Sequence, residues 1–269
     1  MISFPNAKIN LGLYVVAKRT DGYHNIESVL WPVPWNDVLE IVRSPNGQFE
    51  MGVSGISLDV SREENLVFQA WRLMQDHFSL PAVHIHLHKN IPMGAGLGGG
   101  SSDAAFTIKM LNQLFALNLS KRKMQSLARK IGSDCIFFID NIPRFVAGTG
   151  ELLSETKADP GGYHIGIIKP SAHISTAEAY QNIMARPAPR GWEKRIRDPR
   201  LWKEHIHNQF EEYVMAQYPS LLDVKERMYA YGAIYASLTG SGSAIYGLFN
   251  EKPDMAKWFP EFLNWQGRL

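Results

Sequence analysis

The chain has 269 residues, with 28 Lys and Arg against 26 Asp and Glu, a formal charge of +2 and a single cysteine. That length builds one large domain or two smaller ones without staples, and one thiol, Cys135, excludes an internal disulfide and a cysteine metal cluster, pointing to a reducing compartment. At 45% hydrophobic and 20% charged the composition is that of a globular protein; no run approaches the roughly 18 apolar residues of a membrane span and Met1-Ile2-Ser3-Phe4-Pro5 lacks the order of a secretory signal, so a cytoplasmic protein with no membrane partner is expected.

Residues 8–17 and 37–42 are apolar, partly alternating runs between turn residues, and read as strands. Residues 64–78 carry Leu66, Val67, Ala70, Leu73 and Met74 at helical spacing, with acids at the start to suit the positive helix end. Val83, Ile85 and Leu87 then alternate with His84, His86 and His88, the period of a half-buried strand. A loop over residues 89–100 feeds a helix in which Ala104, Ile108, Leu111 and Phe115 share one face. Ser101 and Ser102 are its expected caps, and Asp103 complements its dipole.

A second helix at about 120–131, with Met124, Leu127, Ala128 and Ile131 on one side, stops at Gly132. Gly132-Ser133-Asp134 opens a new element through the apolar residues 135–139. After Gly148-Thr149-Gly150-Glu151 the texture changes, which places a boundary near residue 150, between a domain over 1–150 and one over 151–269. A strand at 163–168 follows. Residues 186–203 hold seven Lys and Arg, two acids, Trp192 and Trp202, and read as an exposed connection. Helical patterns at 202–217 and 220–231 lead to Leu238-Thr239-Gly240-Ser241-Gly242-Ser243 and a last strand at 244–249. Strands and helices mix in both halves without a repeat, so an α+β fold of two lobes is expected rather than a regular parallel sheet.

Gly94, Gly96, Gly98, Gly99 and Gly100 crowd five of the 22 glycines into PMGAGLGGGSS, residues 92–102. Without Cβ atoms, successive backbone N–H groups can turn toward one concavity, and the following helix adds its own unpaired donors and positive end. A charge-assisted hydrogen bond contributes about 1.5–3 kcal/mol and the dipole about 0.3–2 kcal/mol, enough together to hold a di- or triphosphate. The better-known loops do not fit. Gly94, Gly96 and Gly99 satisfy G-x-G-x-x-G, but no Asp or Glu lies between Asp103 and Asp134 to take a ribose. No Gly-Lys pair exists for a Walker loop, and the His-Arg-Asp and Asp-Phe-Gly segments of protein kinases are missing.

The loop with Ser101-Ser102-Asp103-Ala104-Ala105 resembles the Pro-x3-Gly-Leu-Gly-Ser-Ser-Ala loop of the GHMP small-molecule kinases, the galacto-, homoserine, mevalonate and phosphomevalonate kinases. Residues 5–11 (PNAKINL), Asp21-Gly22-Tyr23-His24, Gly132-Ser133-Asp134, Gly148-Thr149-Gly150-Glu151 and Leu238-Thr239-Gly240-Ser241-Gly242 are similar to the branch that phosphorylates the 2-hydroxyl of a cytidyl diphosphate alcohol in non-mevalonate isoprenoid synthesis. The resemblance implies an N-terminal ribosomal-protein-S5-like nucleotide-binding domain and a C-terminal α/β sandwich domain. It implies ATP as co-substrate, with its phosphates on Pro92, Gly94, Gly96, Leu97, Gly98, Gly99, Gly100, Ser101 and Ser102 and its adenine near Asn65 and Leu66. Magnesium is expected on those phosphates, with protein ligands unassigned.

By the same resemblance Asp134 is the general base and Lys8 its partner, polarising the hydroxyl and keeping the carboxylate ionised. Tyr23 and Tyr180 are expected to sandwich the cytosine and His24 to bond its edge, with Thr176 beside them. Stacking accepts any base, so the edge contact does the choosing. Asn10 shares a strand face with Lys8 and is expected to hold substrate. Read without the family, Asp134 is a helix N-cap, Lys8 a strand-end charge, and Tyr23 and His24 ordinary turn residues. Ser241 and Ser243 suit either the phosphate side or a plain tight turn. The sequence departs from the family at Cys135-Ile136, where Val-Pro is usual, at Asp103 for a frequent Asn, and at Ala177 for a common proline; Cys135 itself reads as a small buried hydrophobe.

Three other readings compete. His84, His86 and His88 on one strand face suggest zinc, against a plain solvated face. The segment 186–203, with Trp192 and Trp202 for stacking, suggests RNA binding through Arg195 and Arg197; the total of only +2 argues against any nucleic-acid partner. A GHMP kinase acting on a sugar, homoserine or mevalonate is the rival within the enzyme class. A monomer or a homodimer fits equally.

Overall fold

The structure, a computed structural model, describes residues 1–57 and 60–269. The chain opens with β1 (Ile2–Ser3) and two long strands, β2 (Asn6–Lys18) and β3 (His24–Asn36), then β4 (Val38–Arg43), β5 (Glu50–Gly55), α1 (Leu66–Phe78), β6 (Val83–Lys89), α2 (Gly99–Leu114), α3 (Lys121–Arg129) and α4 (Cys135–Asp140). It continues with β7 (Arg144–Ala147), β8 (Leu152–Ser154), β9 (His164–Lys169), α5 (Thr176–Gln181), α6 (Trp192–Arg195), α7 (Trp202–His205), α8 (Phe210–Gln217), α9 (Pro219–Ala230), β10 (Tyr235–Leu238), β11 (Ile245–Phe249), α10 (Met255–Trp258) and β12 (Leu263–Arg268). Two compact units result. One comprises residues 1–7, 35–93 and 98–142, the other 8–34, 94–97 and 143–269, so residues 1–150 contribute to both.

The first unit is a sheet in the order β1-β4-β6-β5, with β4 antiparallel and β5 parallel to β6. The alternation at 83–88 behaves as expected: Val83, Ile85 and Leu87 are buried with Leu39 and Ile41, while His86 and His88 are exposed. Val67, Ala70 and Met74 of α1 and Ala104, Ala105, Ile108 and Leu111 of α2 are buried in the same unit. Helix α1 begins later than its acids: Asn65 is the cap, accepting from Val67 N at 2.9 Å, and no acid lies in the first turn. In α2 the caps are not Ser101 and Ser102. Gly98 caps with φ of 70°, a left-handed conformation that glycine adopts without strain, and both serines lie inside the first turn. Asp103 sits one residue further in, where a buried ion pair rather than the dipole engages it.

The second unit holds the antiparallel sheet β10-β11-β9-β12 and the sheet β2-β3-β7-β8, whose two long strands reach residues of the first unit at their ends. The pattern over 202–217 is broken at Ile206, which is extended, into α7 and α8. Strand β11 is not the last: β12 returns beside β9, pairing Leu263 to Lys169 through Arg268 to His164. The basic stretch 186–203 is not simply an exposed connection. Trp192 and Trp202 are 2% and 0% exposed, and their indoles bond Glu27 Oε2 and Ile196 O, both at 3.0 Å. Removing a side chain of that size from a closed core costs about 3–5 kcal/mol, so Trp202→Ala should lower the urea midpoint steeply; an unchanged midpoint would contradict its core role.

Candidate active site

Of the glycine loop, residues 94–97 belong to the second unit and 98–102 to the first. Gly94 and Gly96 have φ of 61° and 74°, a region L side chains enter at a cost of about 1–2 kcal/mol. Gly96 is needed for a second reason: a Cβ there would stand 1.9 Å from Thr239 O. Thr239 Oγ1 donates to Gly96 O (3.1 Å), Ala244 N to Ala95 O (3.1 Å) and Lys8 N to Leu97 O (2.9 Å). The Leu238–Ser243 motif therefore buttresses the loop from behind. In the first unit, the amide of Ser102 is bonded to Gly98 O at 2.9 Å, so the amides of Gly99, Gly100 and Ser101 have no acceptor within the helix and present the positive end of α2. Ile91 would meet a Cβ on Gly99 at 2.9 Å, which explains glycine at that helix start.

Lys8 and Asn10 lie on one face of β2, 4% and 2% exposed. Lys8 Nζ donates to Asn10 Oδ1 (2.7 Å), which also accepts from Gly240 N (3.0 Å); Asn10 Nδ2 donates to Ser28 Oγ (2.9 Å), and Ser28 Oγ donates to Gly12 O (2.6 Å). Lys8 is thus a buried, oriented cation rather than a strand-end charge. Asn10, expected to hold substrate, has both side-chain polar atoms engaged by protein partners. Its role in the geometry is to aim Lys8 and to hold the turn at Gly240. Neither Ser28 nor Asn208, whose Nδ2 bonds Leu238 O (2.9 Å) and Gly240 O (2.7 Å), was anticipated; a buried Asn carries no local pattern. Asn10→Ala should cost about 1–3 kcal/mol by stripping these partners and lower turnover more than ATP affinity, as paired thermal melts and kinetics would reveal.

Asp134 occupies the N-cap position of α4, yet its side chain makes no capping hydrogen bond. The cap reading therefore fails for the carboxylate, which is half-buried at the start of a helix whose next five residues are all buried. Cys135 is fully enclosed and its thiol is pushed up to about 12, first by burial. It is an inert hydrophobe, as expected.

Asp21-Gly22-Tyr23-His24 divides into a turn and its cargo. Asp21 accepts from Tyr23 N (3.1 Å) and from Arg19 Nη2 (2.8 Å), while Gly22 takes φ of 86°. Such Asx turns fix the chain direction. The same end of β3 is braced by Ile26 N on Gly148 O (2.7 Å), and that glycine's neighbour Thr149 is held by Glu151 Oε2 at 2.6 Å. Tyr23 is presented to solvent at 66% exposure. His24 stacks on Tyr180, centroids 5.1 Å apart and planes 29° apart, so in this conformation His24 rather than Tyr23 covers the Tyr180 ring. Thr176, first residue of α5, has its hydroxyl 3.0 Å from Ser241 Oγ. Ser243 instead donates to Ala172 O (2.6 Å), a structural bond.

Asn65 and Leu66 line a small cleft of the first unit with Lys89, Met93, Gly100 and Asp103. The histidine row does not make a metal centre. Alternate residues of a strand stand nearly 7 Å apart, His86 and His88 both bond Ser54 Oγ (2.8 and 2.9 Å), and among the described residues no group of three or more His, Cys, Asp or Glu is placed to hold an ion. With Trp192 and Trp202 buried, the aromatic half of an RNA surface is also absent from 186–203. No helix among the described residues is long and apolar enough to cross a membrane.

The chain matches the GHMP kinases N terminal domain over residues 65–148 and the GHMP kinases C terminal domain over 192–257. It is 45% identical to the 4-diphosphocytidyl-2-C-methyl-D-erythritol kinase of Cytophaga hutchinsonii, covering 94% of each chain, and 44% identical to that of Bacteroides thetaiotaomicron, covering 100% of each. Among solved structures, a 4-(cytidine 5'-diphospho)-2C-methyl-D-erythritol kinase superposes with a TM-score of 0.83 at 29% identity, covering 99% of this chain and 98% of that one. The Methanococcus jannaschii mevalonate kinase shares the fold, with a TM-score of 0.73 at 14% identity, covering 100% and 98%. With this likeness running over the whole chain, glycine loop and braced Asp-Gly-Tyr-His turn included, the chain belongs to the GHMP kinase family, in its 4-diphosphocytidyl-2-C-methyl-D-erythritol kinase branch.

Proposed function

We propose that the chain transfers the γ-phosphoryl group of ATP to the 2-hydroxyl of 4-diphosphocytidyl-2-C-methyl-D-erythritol, a step of non-mevalonate isoprenoid synthesis. The observation that carries this reading is the Asn10 node, which ties a buried Lys8 ammonium and the turn behind the glycine loop into one hydrogen-bonded group. Phosphoryl transfer asks chiefly for positioning and for positive charge where the leaving and attacking oxygens develop theirs. The loop amides and the α2 terminus receive the phosphates, and Lys8 stabilises the hydroxyl oxygen as Asp134 takes its proton. The bond from that oxygen to γ-phosphorus forms as the bond to the β–γ bridging oxygen breaks, leaving ADP.

His24 and Tyr180, with Tyr23 and Thr176, form the cytosine side in this reading. Burial and the neighbouring Lys18 hold the His24 imidazole below its usual value, so at neutral pH it offers one donor and one acceptor, a match for a cytosine edge. Tyr23 swings onto the base from its exposed turn. Asn65 and Leu66 take the adenine. Magnesium would neutralise part of the ATP phosphate charge, as this ion commonly does. The division near residue 150 into nucleotide-binding and C-terminal parts, and a cytoplasmic location, belong to the same proposal. A coupled ADP-release assay tests it: turnover should appear with the cytidyl diphosphate alcohol and not with galactose, homoserine or mevalonate, and turnover of one of those alone would refute it.

A further inference from the structure

Asn10 is held by its main chain as well as by its side chain. Besides the side-chain bonds to Lys8, Ser28 and Gly240, its backbone N–H donates to Thr239 Oγ1 (3.2 Å), and its carbonyl oxygen accepts from the Tyr246 hydroxyl (2.7 Å). Thr239 and Tyr246 flank the turn that joins β10 to β11. Lys8 needs an anchor of this kind on its own side of Gly12. That glycine, two residues beyond Asn10, takes φ of 66°, the left-handed conformation of a bulge rather than of a pleated strand, so the regular pleat of β2 does not carry through it to fix Lys8.

Tyr246 is a firm point of attachment. It lies in β11, a strand paired on both sides, opposite Ser237 of β10 and Ile167 of β9. Its side chain is fully buried, with the Tyr235 ring 5.9 Å away between centroids. The apolar run at 244–249 asks only for a large buried side chain at this place, which phenylalanine would fill. The hydroxyl is the part that packing does not require, and a buried phenol turns its O–H to a partner; here the partner is the main chain of the residue that accepts from Lys8. Burial, then Tyr235, push the Tyr246 phenol well above the usual tyrosine value, so it keeps its proton and remains a donor.

We propose that Tyr246 is a positioning residue of the transfer: its hydroxyl fixes the Asn10 main chain and, through Asn10 Oδ1, the direction in which Lys8 presents its ammonium. That role rests on Lys8 being the cation at the reacting hydroxyl. Without the Tyr246 hydroxyl, the Asn10 carbonyl loses this donor, and residues 8–10 gain a freedom that the bulge at Gly12 does not check. An aim lost by about 1 Å can cost about 10²-fold in rate. Residues 95 and 96 of the glycine loop keep their separate braces on Ala244 N and Thr239 Oγ1, so ATP binding is spared.

Tyr246→Phe in the full chain tests this, with Tyr229→Phe as its control. Tyr229 likewise donates its hydroxyl to a backbone oxygen of the second unit, Ala236 O at 3.3 Å, away from Asn10 and Lys8. Thermal melts should report a modest loss of stability in both variants. In single-turnover transfer to the cytidyl diphosphate alcohol, with both substrates saturating, the rate should fall about tenfold or more for Tyr246→Phe and stay within about twofold for Tyr229→Phe, while the KM for ATP stays within about twofold in both. An unchanged rate in Tyr246→Phe, the same loss in both variants, or a loss confined to KM overturns the proposal. Nitrogen NMR of the lysine-labelled chain adds a readout that stability alone does not move. The Lys8 ammonium resonance, identified by its loss in Lys8→Met, should shift or broaden in Tyr246→Phe and not in Tyr229→Phe; an unchanged resonance overturns the proposal. Should Tyr246→Phe fail to fold, the unmodified chain decides: a Tyr246 hydroxyl proton in slow exchange and coupled to the Asn10 carbonyl supports the anchor, and one exchanging as fast as a free phenol overturns it. Full turnover by the variant removes this inference alone. Absence of turnover of that alcohol by the unmodified chain removes the kinase reading together with it.

Discussion

Asp134→Ala is expected to lower kcat by about 10²–10⁴-fold, the usual contribution of a positioned base, while the Kd for ATP stays within a few-fold. The loose phosphoryl transition state asks less of a base than of its cations, which sets the lower end of that range. The variant also separates the chemical role from the structural one. A side chain capping α4 would cost about 0.5–2 kcal/mol on removal, but the Asp134 carboxylate makes no capping bond. Its loss should therefore spare the helix that capping cost. Full retained activity would remove Asp134 from the mechanism, and a lowered midpoint with proportionate activity loss would return it to the helix.

The second large effect is expected at the glycine loop. Gly96→Ala adds a Cβ where φ is 74° and the Thr239 carbonyl oxygen would be 1.9 Å away. Left-handed backbone costs an L residue about 1–2 kcal/mol, and backbone cannot retreat as a flexible side chain does. The loop must detach from Thr239 and Gly240, so stability should fall by about 2 kcal/mol or more and the KM for ATP should rise at least tenfold. Gly100→Ala is the contrasting change. Its Cβ would meet only Leu66 Cδ1 at 3.6 Å, an ordinary contact, and alanine favours a helix interior by about 0.5–1 kcal/mol. Denaturant midpoints that fall equally for both variants would contradict the close-approach explanation of Gly96.

Where a local pattern existed, it was legible. The His and aliphatic alternation of β6 and the buried faces of α1 and α2 follow from short-range spacing, and the structure bears them out. Strand β3 escaped because Pro32 and Pro34 break its pattern. Strand β12 escaped because its residues are half-buried on both faces, so no period of two appears. Trp192 and Trp202 looked like surface aromatics among cations, since the sequence does not reveal that their flanking charges point outward while the rings close the second unit's core.

The candidate site divides the same way. Short motifs singled out the glycine loop, Lys8, Asp134 and the Asp-Gly-Tyr-His turn as candidates. For Asn10 the shared face with Lys8 was readable, whereas its engagement by Ser28 and Gly240 comes from residues 18 and 230 positions away. Asp103 was misassigned for a similar reason. Its place near a helix start suggested dipole compensation, but burial beside Lys89, 14 residues upstream, outweighs an effect that fades within one turn.

Transfer of phosphorus from ATP to one hydroxyl of a cytidyl diphosphate alcohol can be followed at the phosphorus itself, by NMR of the completed reaction. A new phosphomonoester resonance on the alcohol is expected, equal in amount to the ADP formed, with the cytidyl diphosphate pair unaltered. Phosphate released to water, a lengthened cytidyl phosphate chain, or no change beside ATP would contradict it.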